Sequence, residues 1–396
     1  MTRAADSGAR RHAVVIAAAI GLVFTLVCFW PGYMSEDSIS QLAQARSGDY
    51  DPWHPPVMSW TWRMTDRVLP GPAGMLVLHA VLLWSGLALV VAGTIVRPAR
   101  AAAALIALGF FPPVLALVGT VWKDVALGVA LVLAFGLLLA AEEPRSRVAV
   151  VASLPLLFYA AAVRYNGAAA MLPLSLWAGT IVVPRRAGLA VGAGLFAALL
   201  ALAVVTNAWL SGGRTPRSFR VLFVGDIVAT ALDSGEKIPP PAPPDEPMSA
   251  IVARWRRAIL THPAAYLWHR MLETKRLLGI GTSAVCYPFQ ERSVQPNPFV
   301  ADAPPGALNR TVMAALEAVK NGPLFRVWVY LALCAVWAVV GRRRVAALAL
   351  AASGMLYLVP YYVIAPDCDF RYAWWTVLAA LLLPLVVLGG GQAEPA

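Results

Sequence analysis

The chain has 396 residues, of which 59% are hydrophobic and 13% charged, where a soluble domain carries about 25% charged residues. With a mean hydropathy of +0.67, this composition excludes a soluble globular enzyme and a disordered chain and predicts an all-α polytopic membrane protein. The formal charge of +11, from 32 basic and 21 acidic residues, is not a polynucleotide footprint: the basic residues fall in short clusters between apolar runs, where orientation signals belong, and no nucleic-acid partner is expected.

Residues 1–12 are polar and basic (Arg3, Arg10, Arg11), and the run 12–30 is long enough to span a bilayer. No small-residue cleavage site precedes the polar loop that follows, which predicts an uncleaved first helix with a cytoplasmic N-terminus. Further spans are predicted at 73–96, 100–118, 122–141, 147–163, 167–183, 187–209, 324–340, 345–365 and 372–389, each near the ~20 residues of a helical crossing. About ten transmembrane helices result, with both termini cytoplasmic. The chain thus divides into an N-terminal membrane module (1–209), an extracytoplasmic segment (210–322) and C-terminal membrane helices (323–396).

The positive-inside rule tests that count. The loops that alternation assigns to the cytoplasm carry Arg97 with Arg100, Arg145 with Arg147, Arg185 with Arg186, and Arg342 with Arg343 and Arg344. The opposite set holds the acidic loop 31–71, Trp122-Lys123-Asp124, Arg164-Tyr165-Asn166 and the stretch from Pro366 to Tyr372. Nearly every unusual polar residue therefore shares one face, the extracytoplasmic one. Structural polar residues have no reason to prefer one side, and ionisable groups at span ends are functional-site candidates.

In the first outer loop Ser38 to Gln41 reads as a capping box, so a short juxtamembrane helix is expected to begin at or beside Asp37. Glu36 and Asp37 then have two readings: capping carboxylates at a helix start, or a general base at the membrane surface. Asp49-Tyr50-Asp51 reads as a turn or as oxygen ligands for a divalent cation. His54 precedes Pro55 and Pro56, which holds it extended and aims its imidazole. Beyond the seventh span, a proline-rich linker (Pro239 to Pro247) leads to two helical stretches, about 249–261 and 262–279, the second opening with Thr261 as N-cap and Pro263 in its first turn. Tyr266, Leu267, Trp268, Arg270, Lys275 and Arg276 suit either an interfacial helix with snorkelling cations or a helix packed on the spans with a solvated basic face.

Lys123 and Asp124 open the fourth span, either as a local ion pair or with Lys123 on a substrate phosphate. Arg164 at an outer corner runs against the orientation rule, so an anion is expected beside it: Asp37, Asp124 or a ligand phosphate. Arg371 has Asp367 and Asp369 as ready partners. Of the four cysteines, Cys28 and Cys334 lie in apolar runs and read as core packing, and none shows CxxC or metal-ligand spacing.

The ordered set Tyr33-Met34-Ser35-Glu36-Asp37-Ser38, His54-Pro55-Pro56, Trp122-Lys123-Asp124, Arg164-Tyr165-Asn166-Gly167 and Asp369-Phe370-Arg371-Tyr372 resembles the polyprenyl-phosphate-sugar-dependent membrane glycosyltransferases of the C-type fold, the group that includes protein O-mannosyltransferases and lipid A aminoarabinose transferases. The resemblance covers most of the membrane portion. It implies an inverting transfer of sugar from a polyprenyl-phosphate donor to a hydroxyl of a cell-envelope glycan, lipid or protein, at the outer face of the plasma membrane and among membrane lipids. It implies Asp37 as catalytic base, with Glu36 the alternative, since many relatives carry the reverse Asp-Glu order here. Substrate binding then falls to His54, Lys123, Asp124, Arg164, Asn166, Asp369, Arg371 and Tyr372. No cofactor or metal ligand is required, and a divalent cation is admitted. The chain lacks the sizeable soluble domain with which many relatives end, so acceptor recognition is expected from 210–322. Cys286 in that segment and Cys368 are both predicted to face an oxidising compartment, which suggests a disulfide closing the segment over the site. A transporter or flippase for a lipid or polar solute is the alternative, but transporters bury ionisable residues near the midplane, whereas these spans are largely uncharged in their middles.

Overall fold

The computed structural model describes residues 2–389 except 143, 144, 184, 215, 217, 240–242, 244, 245 and 366. The proline-rich linker falls largely outside that set, as does Pro366 of the late motif. The described chain is helical, with no strand beyond a single isolated bridge.

The first half contains α1 (Thr2–Phe29), α2 (Glu36–Ser47), α3 (Pro56–Val68), α4 (Ala73–Thr94), α5 (Pro98–Gly109), α6 (Pro112–Val118), α7 (Lys123–Glu142), α8 (Arg147–Val163), α9 (Gly167–Val182) and α10 (Arg185–Leu210). The middle segment folds as α11 (Ser218–Ser234), α12 (Met248–Thr261), α13 (Pro263–Leu278) and α14 (Ala307–Val319). The chain closes with α15 (Val327–Val340), α16 (Val345–Leu356), α17 (Tyr361–Ile364) and α18 (Trp374–Gly389).

Every predicted apolar run is helical, but the ten-span count is met only in part. Among the described residues six helices are long and apolar enough to cross a membrane, or seven if the bent pair α5–α6 is one span. The 60° bend in that pair falls at Phe110-Phe111-Pro112-Pro113, where proline cannot continue the hydrogen-bond ladder. The runs α8, α9 and α15 have 17, 16 and 14 residues, about 21–26 Å at ~1.5 Å per residue against a hydrocarbon core of ~30 Å.

Helix α7 sits at the centre, packed on α4, α8, α9 and α18, and its middle turns are almost wholly buried. Small residues admit the close approaches, as membrane helix pairs require. A Cβ at Gly128 would stand 2.6 Å from the ring of Trp374, and one at Gly179 2.2 Å from the carbonyl oxygen of Gly188. Buried tryptophans lock the helices polar end first: Trp374 Nε1 donates to the Pro113 carbonyl (3.0 Å), and Trp375 Nε1 to Ser353 Oγ (2.9 Å).

Three local corrections follow. The cap of α2 is Ser35, which exchanges hydrogen bonds with Ser38, so the capping box lies three residues earlier than the Ser38–Gln41 pattern suggests. The cap of α13 is His262, because Thr261 belongs to the last turn of α12 and donates its hydroxyl to Arg257. Among its described residues the outer segment holds four helices rather than two; α11 is apolar, and α14 follows a loop rich in proline and has no side-chain cap at Gly306, so neither announces itself.

Two ties bring distant segments to one end of the bundle. Tyr33 pairs with Thr120 in a parallel bridge, Ser38 Oγ donates to the Val121 carbonyl at 2.7 Å, and Trp122 Nε1 donates to Ser35 Oγ at 2.8 Å. This fixes the start of α2 against the start of α7. On the other side, Cys286 and Cys368 form the expected disulfide, with Cα atoms 5.6 Å apart.

Candidate active site

Asp37 occupies the first turn of α2, where a carboxylate is favoured by the helix dipole. Its side chain faces away from solvent-exposed Glu36 and into a cavity of about 290 Å³. Oδ1 of Asp37 lies 3.1 Å from His54 Nε2, and Oδ2 lies 3.1 Å from both Lys123 Nζ and Arg371 Nη1. Lys123 Nζ also stands 3.1 Å from His54 Nδ1. An ammonium can only donate, so Nδ1 accepts from Lys123 and Nε2 carries the proton that goes to Asp37. The imidazole in this arrangement is neutral.

The electrostatics agree. Burial alone would raise the Asp37 carboxyl, but Lys123, His54 and Arg371 outweigh it and hold the group well below the usual carboxylate range. Burial, and then the neighbouring Lys123 charge, bring His54 down to about 4.

A second layer holds the cations. Arg164 pairs with buried Asp124, donates from Nε to Asn166 Oδ1 at 3.2 Å, and lies over the Tyr372 ring at 4.9 Å. Arg371 Nε lies 2.7 Å from Asp369 Oδ2 in an ion pair, and its guanidinium stacks over Trp122 at 4.6 Å. Such planar stacking suits guanidinium and adds cation–π attraction. Lys123 and Asp124 are therefore not a local pair: each has a distant partner.

Of the sequence candidates, Asp37, His54, Lys123, Arg164, Asn166, Arg371 and Tyr372 line the cavity. Asp124 and Asp369 do not; they are buried behind it and fix Arg164 and Arg371. Glu36 is exposed and does not line the cavity, which separates the two carboxylates that the sequence leaves as alternatives. Asp51 accepts from the Trp53 amide at 2.7 Å, and Asp49 pairs with Arg214, so this pair serves turn and tether. Among the described residues no group of three or more His, Cys, Asp or Glu is arranged to hold a metal ion.

Sequence reasoning did not find Trp53, Tyr165, Tyr361 or the α11 wall of Ser218, Phe219, Val221 and Leu222, all of which line the cavity. It read Asp367, which also lines it, only as a partner of Arg371, and Arg371 pairs instead with Asp369 and Asp37. The signal for Tyr165 and Asp367 was present, since both adjoin singled-out charges. For α11 none was, because its apolar residues look like any other packed helix.

The fold and the site together define an all-helical, membrane-embedded protein with a cluster of charged side chains at one end of its helices. No family model matches the chain, and no curated protein or solved structure matches it.

Proposed function

We propose that the protein is an integral membrane glycosyltransferase that moves a sugar, with inversion, from a polyprenyl-phosphate donor to an acceptor hydroxyl at the extracytoplasmic face of the plasma membrane. The observation that carries this reading is Asp37, a cavity-facing carboxylate gripped by Lys123, Arg371 and a neutral His54.

In the resting state Asp37 is a poor base, because two cations stabilise its ionised form. A donor phosphate entering the cavity competes for those cations. Lys123 and Arg371 turn to its oxygens, with Arg164 beside them, and Asp37 regains basicity as it loses partners. The acceptor hydroxyl then gives its proton to Asp37 while its oxygen attacks the anomeric carbon from the side opposite the phosphate. The bond from that carbon to the phosphate oxygen breaks, and its electron pair leaves with the polyprenyl phosphate. His54, donating to Oδ1, keeps the carboxylate oriented throughout. Charge on the departing phosphate is met by side chains of the protein itself.

The topology we propose has all ten apolar segments crossing, the three short helices α8, α9 and α15 reaching the interface through their flanking loops. An even count puts both termini in the cytoplasm with the arginine-rich loops. Every charged residue of the site lies at a helix end or in a loop, which favours surface chemistry over midplane transport. The test is sugar release from a panel of polyprenyl-phosphate sugars by membranes containing the protein. Turnover by the parent and a drop of about 100-fold or more in Asp37→Asn are expected. No release by the parent on any donor would overturn the reading in favour of lipid or solute transport.

A further inference from the structure

A second cavity, of about 320 Å³, adjoins the first and shares Val221, Leu222 and Asp367 with it. Its volume is at the lower end of the ~300–1,000 Å³ typical of small-molecule clefts. Like its neighbour it combines an apolar wall, the shared Val221 and Leu222, with charged side chains: His269, Arg270, Glu273 and Arg276 of α13 together with Asp226 of α11.

The floor of this second cavity is rigid. Asp226 and Arg270 are 1% and 2% exposed. Asp226 accepts from Arg270 Nη1 (2.9 Å) and Trp255 Nε1 (2.9 Å), and His269 Nε2 stands 3.3 Å from it. Arg270 gives three more donors to the carbonyls of Tyr362, Val363 and Ala365. Neither floor residue is left wanting a ligand. The rim is different: Glu273 and Arg276 pair at 2.6 Å on the open side, with Arg276 60% exposed, and Asp367 makes no ion pair among the described residues. A floor locked by its own hydrogen bonds beneath a rim of acceptors and planar donors is the construction that holds a polar ligand in one orientation.

We infer that the second cavity is the acceptor subsite of the proposed transferase and that it takes a polyhydroxylated acceptor, a glycan hydroxyl rather than a lipid alcohol or a peptide. This inference rests on the transferase reading. Vicinal hydroxyls both donate and accept, so they satisfy Glu273, Asp367 and Arg276 at once. An apolar alcohol there would strip water from those charges without replacing its hydrogen bonds. Asp367 lies at the seam, so a sugar seated on the rim presents its next hydroxyl to the cavity that contains Asp37. The proton of that hydroxyl passes to Asp37 as the new glycosidic bond forms and the phosphate bond of the donor breaks.

The experiment uses the full chain in nanodiscs and two probes read by saturation-transfer NMR: a panel of hexose disaccharides (maltose, cellobiose and an α-1,6-linked mannobiose) and geranylgeranyl phosphate. At least one disaccharide is expected to bind saturably, and Glu273→Gln and Arg276→Gln are expected each to weaken it by about tenfold, the effect of losing a hydrogen bond to a charged group. Geranylgeranyl phosphate binding reports that both variants are folded; Lys123→Ala weakens it instead. The acceptor-subsite inference is overturned if no disaccharide saturates, if both variants bind the sugar as the parent does, or if n-octanol or a serine-containing hexapeptide displaces it. Failure of the transferase reading looks different: geranylgeranyl phosphate then binds independently of Lys123 while the disaccharide result stands.

Discussion

Asp37 and Asp226 are built from the same parts and do opposite things. Each is a carboxylate that meets a histidine and a cation: Asp37 meets His54, Lys123 and Arg371, and Asp226 meets His269 and Arg270. The side chain of Asp226 is 1% exposed, whereas that of Asp37 is 25% exposed. Arg270 is consumed by three backbone carbonyls, so the Asp226 cluster staples α11 and α13 to the 361–365 segment. Among the described residues Lys123 and Arg371 make no such backbone contact through their charged ends, and they converge on a cavity. A triad of types is therefore not a site. Cations left free to change partner, beside open space, are what distinguish the reactive cluster from the structural one.

The sharpest way to break this comparison is to neutralise each carboxylate's role in turn. Asp37→Asn keeps shape and one acceptor but gives up its ion pairs with Lys123 and Arg371, so the melting temperature should fall modestly with the fold intact, while turnover should fall by about 10²–10⁴-fold, the range for a general base. Sugar-release assays and thermal unfolding on one preparation measure both. A variant that unfolds as turnover disappears would make Asp37 structural, like Asp226. The converse is Arg270→Ala, which leaves Asp226 buried without its cation. Breaking a buried pair this way costs about 3–5 kcal/mol, and a large fall in melting temperature is expected. Arg270→Lys should not rescue it, since one ammonium cannot reach Asp226 and three carbonyls together. Full stability in Arg270→Lys would show that the staple is not geometric.

Much of the Asp37 cluster was legible in the sequence and almost none of the Asp226 cluster was. Lys123, Arg164 and Arg371 stand out because charge beside an apolar run is costly, and that cost is visible without coordinates. Choosing between Glu36 and Asp37 required the helical phase of α2, which turns one carboxylate outward and the other into the cavity. Arg270 lies in an amphipathic helix amid other cations, where burial and exposure look alike in sequence, and it reads as a snorkelling cation or as part of a solvated basic face when it is in fact buried. Its partners are backbone carbonyls, which carry no sequence signal. The same holds for the bent α5–α6 pair, whose proline pair marks a break but not whether the chain crosses the membrane.

A smaller effect sharpens the idea that cations change partner. Lys123→Ala removes one of two cations on Asp37 Oδ2, and we expect geranylgeranyl phosphate binding to weaken about tenfold, which is ~1.4 kcal/mol. The same variant should raise the apparent basic pKa of Asp37 in the free protein, seen as a shift of the acid limb of kcat/KM to higher pH. A weakened affinity with an unmoved acid limb would mean that Lys123 binds phosphate without ever restraining Asp37.

The smallest expected effect concerns His54, whose neutral form is held by burial and by Lys123 with a pKa of about 4. The unfolded imidazole titrates near ~6.5, so as pH falls from there the unfolded chain takes up a proton that the folded chain refuses. Stability should therefore be fully present above the unfolded value and decline toward about 4. Asp37 does not obscure this window, because its depressed carboxyl contributes stability that is lost only below the ordinary carboxylate range. We expect a slope of about 2 °C or less per pH unit in a protein of this size. In His54→Gln, which keeps an amide donor toward Asp37 but cannot titrate, this fall toward low pH should disappear. What remains is the opposite and independent trend of Asp369, whose carboxyl burial pushes up to about 6, so that it adds stability as pH falls. If parent and variant melt with the same pH slope, the imidazole is already charged at neutral pH, and the Lys123–His54 contact cannot be the hydrogen bond that fixes its tautomer.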